Sequence, residues 1–308
     1  MTSDTAVLIG QMKIIASLIA IGIFEQRSGL FDDKLINAFS AITSKLILPV
    51  MLITLIGSVS RAELIGSWKF FLCSVGFYAI TVSVSRLISN LPAIPSGQKG
   101  MHTLIMSFGN AGFIGVPLIV SVFGDSAGTA AAAFSFVEAT LCWVAGPLIV
   151  AGGGRVDLKK LVSPITASIL IGAAIVLLNM NFSGNVLWDT MKDVGGTCKY
   201  FASIYIGMNI GRMGIKKLGG NLRVFAAAPF KLLVFPVAAY LLFGKTGILT
   251  GDTLTMFIVL FATPSGMVLP IVAEMSGLNG EYVSAGCMAS TILCLFTIPF
   301  VIWLTGII

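Results

Sequence analysis

Three small polar side chains, Asn110, Thr263 and Ser265, mark the places where this chain could do chemistry. They lie in two stretches, Phe108-Gly-Asn-Ala-Gly-Phe-Ile-Gly-Val-Pro-Leu118 and Phe261-Ala-Thr-Pro-Ser-Gly-Met-Val-Leu-Pro-Ile271, each inside a long apolar run. Gly109, Gly112 and Gly115 loosen a helical backbone. Pro117 has no N–H and should free the carbonyl of Phe113, and Pro270 should do the same to Gly266. Pro264 disfavours helical geometry at Thr263. Freed backbone groups cannot face lipid, where each costs several kcal/mol, so protein, water or a ligand must satisfy them. A broken helix also has two new ends. N–H donors with partial positive charge collect at one, and carbonyls with partial negative charge at the other. Two N-terminal ends meeting at mid-membrane would make an anion cradle without Arg or Lys, and the C-terminal ends would favour a cation. The residues expected to line such a site are Gly109, Asn110, Ala111, Gly112, Thr263, Ser265 and Gly266, with Pro117, Pro264 and Pro270 at the breaks. The plainer alternative is a pair of kinks.

Buried charge is the second signal. Glu138 is the deepest acid, near the middle of its apolar segment, and needs a partner or water there. It reads as a proton or cation site coupled to transport, or as a structural hydrogen bond to a neighbouring helix. Glu274 follows Pro270 by one turn and is a second coupling candidate, or a residue reaching the interface. Lys13, Lys45 and Lys231 sit two to three turns inside their segments, and snorkelling to the interface is the favoured reading. His102 is the only histidine and is expected at the interface.

These residues belong to a chain of 308 residues that is 56% hydrophobic and 10% charged, with mean hydropathy +0.99. A soluble domain is about 25% charged, so an all-α integral membrane protein is expected. About 20 apolar residues cross the hydrocarbon core. Ten segments qualify, at about 5–24, 35–58, 68–88, 101–123, 127–151, 161–180, 195–212, 223–243, 253–275 and 281–304. The linker at 152–160 divides five from five, giving halves at 1–151 and 161–308. Five is odd, so a duplicated half would enter the membrane inverted, as in many secondary transporters. A shift of 153 positions lays Phe108 on Phe261, Pro117 on Pro270 and Gly124 on Gly277.

Loop charge sets orientation. Arg27, Lys34, Arg86, Lys99, Arg155, Lys159, Lys160, Arg212, Lys216, Lys217 and Arg223 fall on one side. Arg61, Lys69, Lys192, Lys199 and Lys245 fall on the other. Eleven against five makes the first side cytoplasmic and puts both termini outside. No basic region precedes the first segment, so no cleavable leader is expected. The net charge of +6 is therefore loop charge rather than a nucleic-acid surface. Cys73, Cys142, Cys198, Cys287 and Cys294 form no CxxC pair and read as packing residues. Gly207 and Gly211 suggest close helix packing.

Enzyme chemistry lacks parts. There is no HExxH or GxSG, and one histidine builds no metal site with it. Gly244-Lys-Thr would need Gly at position 239 to end a Walker A loop, and Ala stands there. Neither a cofactor nor a metal is expected.

Asn110-Ala-Gly-Phe-Ile-Gly-Val-Pro-Leu118, Thr263-Pro-Ser-Gly with Leu269-Pro270, and the five-plus-five layout resemble the auxin efflux carrier family over essentially the whole chain. The resemblance implies an NhaA-like fold with crossed, broken segments four and nine. It implies a scaffold and homodimer contact from segments one, two, six and seven. It also implies an elevator-like transport domain from segments three to five and eight to ten. Its substrates would be organic anions, auxin in plant carriers and malate or malonate in bacterial members, with Asn110, Pro117 and Pro270 at the crossover. The short 152–160 linker matches the bacterial type. The expectation is a cell-membrane carrier of small carboxylates working by alternating access. A sodium-coupled symporter of bile-acid type and a carboxylate receptor without transport are its rivals.

Overall fold

A computed structural model describes residues 3–29, 32–151, 164–182, 184–213 and 223–306. The linker at 152–160, and with it Arg155, Lys159, Lys160, Lys216 and Lys217, lies outside the described residues. The described residues are helical, without strands. In chain order they form α1 (Ser3–Arg27), α2 (Asp33–Ile42), α3 (Leu48–Gly57), α4 (Arg61–Gly66), α5 (Trp68–Ser89), α6 (Lys99–Ser107), α7 (Val116–Phe123) and α8 (Gly128–Ala151). The second half adds α9 (Pro164–Leu177), α10 (Val186–Gly196), α11 (Cys198–Met213), α12 (Arg223–Pro229), α13 (Phe235–Ala239), α14 (Gly251–Phe261), α15 (Leu269–Met275) and α16 (Glu281–Thr305). Six described stretches are long and apolar enough to cross a membrane: Ile9–Arg27, Lys34–Gly57, Arg61–Ser89, Ala111–Val150, Arg223–Gly244 and Glu281–Thr305. Two more apolar helices, Ala167–Leu177 and Gly251–Phe261, are shorter.

Local chemistry sets many helix ends. Asp32 accepts from the Leu35 N–H and starts α2. Ser60 and Glu63 form a capping box at α4, and Asn185 accepts from the Leu187 and Trp188 N–H groups at α10. Each satisfies a donor that the first turn leaves unpaired. π-helical turns at Thr43–Ile47 and Phe230–Val234 carry Lys45 and Lys231.

The chain forms two compact units. The first comprises Met1–Trp68, Gly112–Phe136 and Val162–Gly214. In it α1 and α11 meet backbone to backbone. A Cβ on Gly22 would strike the Ile204 carbonyl oxygen, and one on Gly207 the Ile19 carbonyl oxygen. Gly211 packs beside Gln26 and Ile23, so the small-residue spacing serves close helix contact. Gly172 and Gly195 likewise let α9 and α10 approach Ile56 and Met51 of α3.

The second unit comprises Lys69–Ala111, Val137–Leu161 and Ile215–Ile308. Its core is aromatic. Phe77 and Phe261 meet edge to face at 4.7 Å, Tyr78 lies 4.9 Å from Phe261, and the Tyr78 and Phe108 rings stack at 5.8 Å. Such contacts are worth about 0.5–1.5 kcal/mol each beyond burial. They fix α5 against both broken segments.

The breaks themselves differ from the proline expectation. α6 ends at Ser107, and Phe108 is extended at φ −100°, ψ 135°. Pro270 stands in the first turn of α15, while Pro117 follows a π-helical turn at Ala111–Gly115 that runs directly into α7. At Pro270 the missing N–H costs nothing. In the first segment Phe108 is extended and helical geometry resumes at Ala111, six residues ahead of Pro117. The 153 offset recurs in a few local features. α7 begins at Val116 and α15 at Leu269, while Gly124 and Gly277 both take positive φ just after them, 59° and 80°.

Candidate functional site: a filled pair of helix breaks

In the second unit the two breaks lie against each other. Gly109 and Ser265 form an isolated antiparallel bridge, and the Gly266 N–H donates to the Phe108 carbonyl at 3.4 Å. The approach needs glycine on both sides. A Cβ on Gly266 would collide with the Gly109 carbonyl oxygen, and one on Gly109 would stand 2.5 Å from Thr263 Oγ1. The Asn110 N–H donates to Thr263 Oγ1 at 3.3 Å, between positions 153 apart.

The N–H donors of the first break converge on Glu138. Gly109 donates to Oε1 at 2.8 Å, Ala111 to Oε2 at 3.2 Å, and the Tyr78 hydroxyl to Oε1 at 2.7 Å. Glu138 is 8% exposed. The backbone N–H groups of this break thus hold a carboxylate of the chain itself. Hydrogen bonds to an ionised acceptor are about twice as strong as neutral ones.

A cation stands at the opposite pole. Lys231, at 1% exposure, donates from Nζ to the Phe261 carbonyl at 3.0 Å. Phe261 is the last residue of α14, where a cation complements the helix dipole. Lys231 therefore does not snorkel. It points to the break, and its Nζ and Glu138 Oε1 lie 3.3 Å and 2.9 Å from one point, the place a Cβ on Gly109 would take. Lys13 and Lys45, by contrast, are exposed.

The second break is closed by neutral groups. The Ser265 hydroxyl donates to the Ile105 carbonyl at 2.7 Å, and the Ser265 N–H to Ser290 Oγ at 3.0 Å. The Thr263 hydroxyl donates to the Leu260 carbonyl at 2.6 Å. The Gly266 carbonyl, expected to be freed by Pro270, accepts from the Leu269 N–H and the Cys287 thiol, both at 3.1 Å. The one-turn reach of α15 and the side chain of α16 supply those donors.

Of the sequence candidates, the structure brings Gly109, Asn110, Ala111, Glu138, Thr263, Pro264, Ser265 and Gly266 together in the second unit. Gly112 falls in the first unit, beside Leu48. Glu274 is exposed near Gly280, at the far end of α15, and does not join the cluster. His102 is buried rather than interfacial, 1% exposed, and shares a 2.8 Å hydrogen bond between Nδ1 and the Tyr282 hydroxyl. Tyr78 and Ser290 escaped the sequence reading, which took Lys231 to snorkel and Cys287 to be a packing residue. The 153 offset carried a signal for Tyr78, since it pairs Tyr78 with Lys231.

Compared with protein families, the chain matches the model of one described as membrane transport protein, over residues 7–157 and 147–302. No curated protein matches it.

Proposed function

Since the chain belongs to the auxin efflux carrier family of membrane transport proteins, we propose that it is a secondary carrier of small organic anions working by alternating access. One observation carries this: the first of two adjoining helix breaks presents N–H groups that hold a carboxylate, that of Glu138. A substrate carboxylate would exchange with Glu138 for the Gly109 and Ala111 donors, beside Asn110, Thr263 and Ser265. Lys231 would then balance whichever carboxylate is present.

The ten-helix, five-plus-five inverted repeat with crossed segments four and nine is part of the proposal. It is supported by the Asn110–Thr263 hydrogen bond, because two residues related by a two-fold axis can touch only near that axis. The equal spacing of α7 and α15 and the antiparallel bridge support it too. The first unit, which holds segments one, two, six and seven, is the scaffold and homodimer contact. The second holds most of segments three to five and eight to ten and is the moving domain. The termini face outside a cell membrane.

Membrane potential constrains direction. Each net negative charge leaving an inside-negative cell gains about 2.3 kcal/mol per 100 mV. Export of a free anion is downhill, and uptake requires cations or exchange. Tracer flux of malate and malonate into proteoliposomes tests the reading. Flux that falls with Asn110→Ala supports it. Carboxylate binding without flux would replace it with a receptor. Flux that requires sodium would favour the symporter.

A further inference from the structure

A second polar recess lies wholly within the first unit, away from the residues assigned so far apart from Pro117. It is a cleft of about 180 Å³ lined by α3, α7, α10 and the start of α11. Lys192 and Lys199 line it together, with Tyr200, Ser121 and one acid, Asp125. Basic residues outnumber acidic ones, so its charge favours an anion.

Packing explains why the lysines face one recess. They lie on consecutive helices, Lys192 on α10 and Lys199 near the start of α11, and both line the recess across the junction at Thr197. Gly195 allows α10 to press on α3, since a Cβ there would come 2.7 Å from Met51 Cα. That contact makes α10 a wall of the cleft. Lys199 is held in place by a 2.8 Å bond from Nζ to Gln11 Oε1. An ammonium has three donors, so two of its N–H groups are not used by that bond. Lys192 is exposed. Gly196 lines the cleft with no heavy atom within 4 Å of where its Cβ would stand. The volume is well below the roughly 300–1,000 Å³ of drug-sized ligand pockets. It suits a few-carbon acid and not a steroid.

We propose that this cleft is a binding site for small dicarboxylates, one carboxylate on Lys192 and the other on Lys199. It rests on the reading of the chain as an organic-anion carrier and gives that carrier a loading site distinct from the helix breaks. The site explains how substrate can be held by the first unit while Glu138 still occupies the donors of the second.

The test is calorimetric titration of malonate into the full chain in detergent at low ionic strength, with acetate as comparator. Malonate should bind at least ten-fold more tightly than acetate. Lys192→Gln with Lys199→Gln should weaken malonate at least ten-fold, and Lys192→Arg with Lys199→Arg should retain it. Gly196→Phe should abolish binding by filling the cleft, and the open space around Gly196 makes the variant compatible with folding. Malonate flux should show a matching rise in half-saturating concentration in the Gln pair and in Gly196→Phe. If all three variants bind and transport malonate as the wild type does, the cleft is not a site and the carrier reading stands. If the wild type neither binds nor transports any carboxylate, both readings fall.

Discussion

Replacing Lys231 by Met removes the buried ammonium while keeping most of the side-chain volume. The loss has two parts. The 3.0 Å bond to the Phe261 carbonyl disappears; a hydrogen bond involving a charged group is worth about 1.5–3 kcal/mol. Glu138 also loses the cation that faces it, and breaking a buried pair by removing one partner costs about 3–5 kcal/mol. Three donors stay on Glu138, which keeps both parts at their lower ends, about 1.5 and about 3 kcal/mol, for a total of about 4.5 kcal/mol. Glu138→Gln should cost about 1–3 kcal/mol, because its amide NH₂ must then meet an N–H of Gly109 or Ala111 donor to donor. The double variant carries neither charge. It should be less destabilised than the sum of the singles, with a coupling of about 1–3 kcal/mol. The assay is denaturant unfolding of the purified chain in detergent for all four members of the cycle. Strictly additive effects, or a Lys231→Met variant as stable as the wild type, would refute the idea that these two charges hold the breaks together.

Other consequences follow from the same geometry. Glu138→Gln should alter the pH dependence of carboxylate flux in proteoliposomes; an unchanged profile removes Glu138 from coupling. Gly109→Ala should abolish flux and destabilise the second unit by a few kcal/mol, since its Cβ meets Thr263 Oγ1 at 2.5 Å and an overpacked core costs about 1–3 kcal/mol; wild-type unfolding and flux would contradict the packing. Gly207→Leu should separate α1 from α11 and lower thermal stability in detergent, and an unaffected melting temperature would show that the helices do not meet there. Ser265→Ala should cost about 1 kcal/mol, the value of a single lost hydrogen bond, while leaving the Ser265 N–H bond to Ser290 intact; a loss several times larger would mean the hydroxyl does more than cap Ile105.

Composition and small-residue placement made the membrane, the two interruptions and their equal spacing legible in one dimension. These depend on local rules. A backbone in lipid must satisfy itself, and Gly and Pro change which groups can do so, whatever the rest of the chain does. Even so, the sequence misplaced the rupture. Pro117 and Pro270 look like breakers in a string of letters, but helical geometry resumes at Ala111 ahead of Pro117, Pro270 sits in a first turn that accepts it, and the first rod stops at extended Phe108.

What fills the breaks came only from the tertiary structure. Glu138 is 29 residues from Gly109, and Lys231 is 30 from Phe261; helix packing alone brings either pair together. Position along an apolar segment gave Lys231 and Lys45 the same expected fate. One reaches a carbonyl inside the core and the other stays exposed, because a lysine's destination depends on what surrounds its stem in three dimensions. The sequence by itself determined that this chain would interrupt two membrane rods and leave polar backbone to be answered. The fold decided that the answer is one acid and one base of its own, since only folded proximity lets distant charges serve as partners.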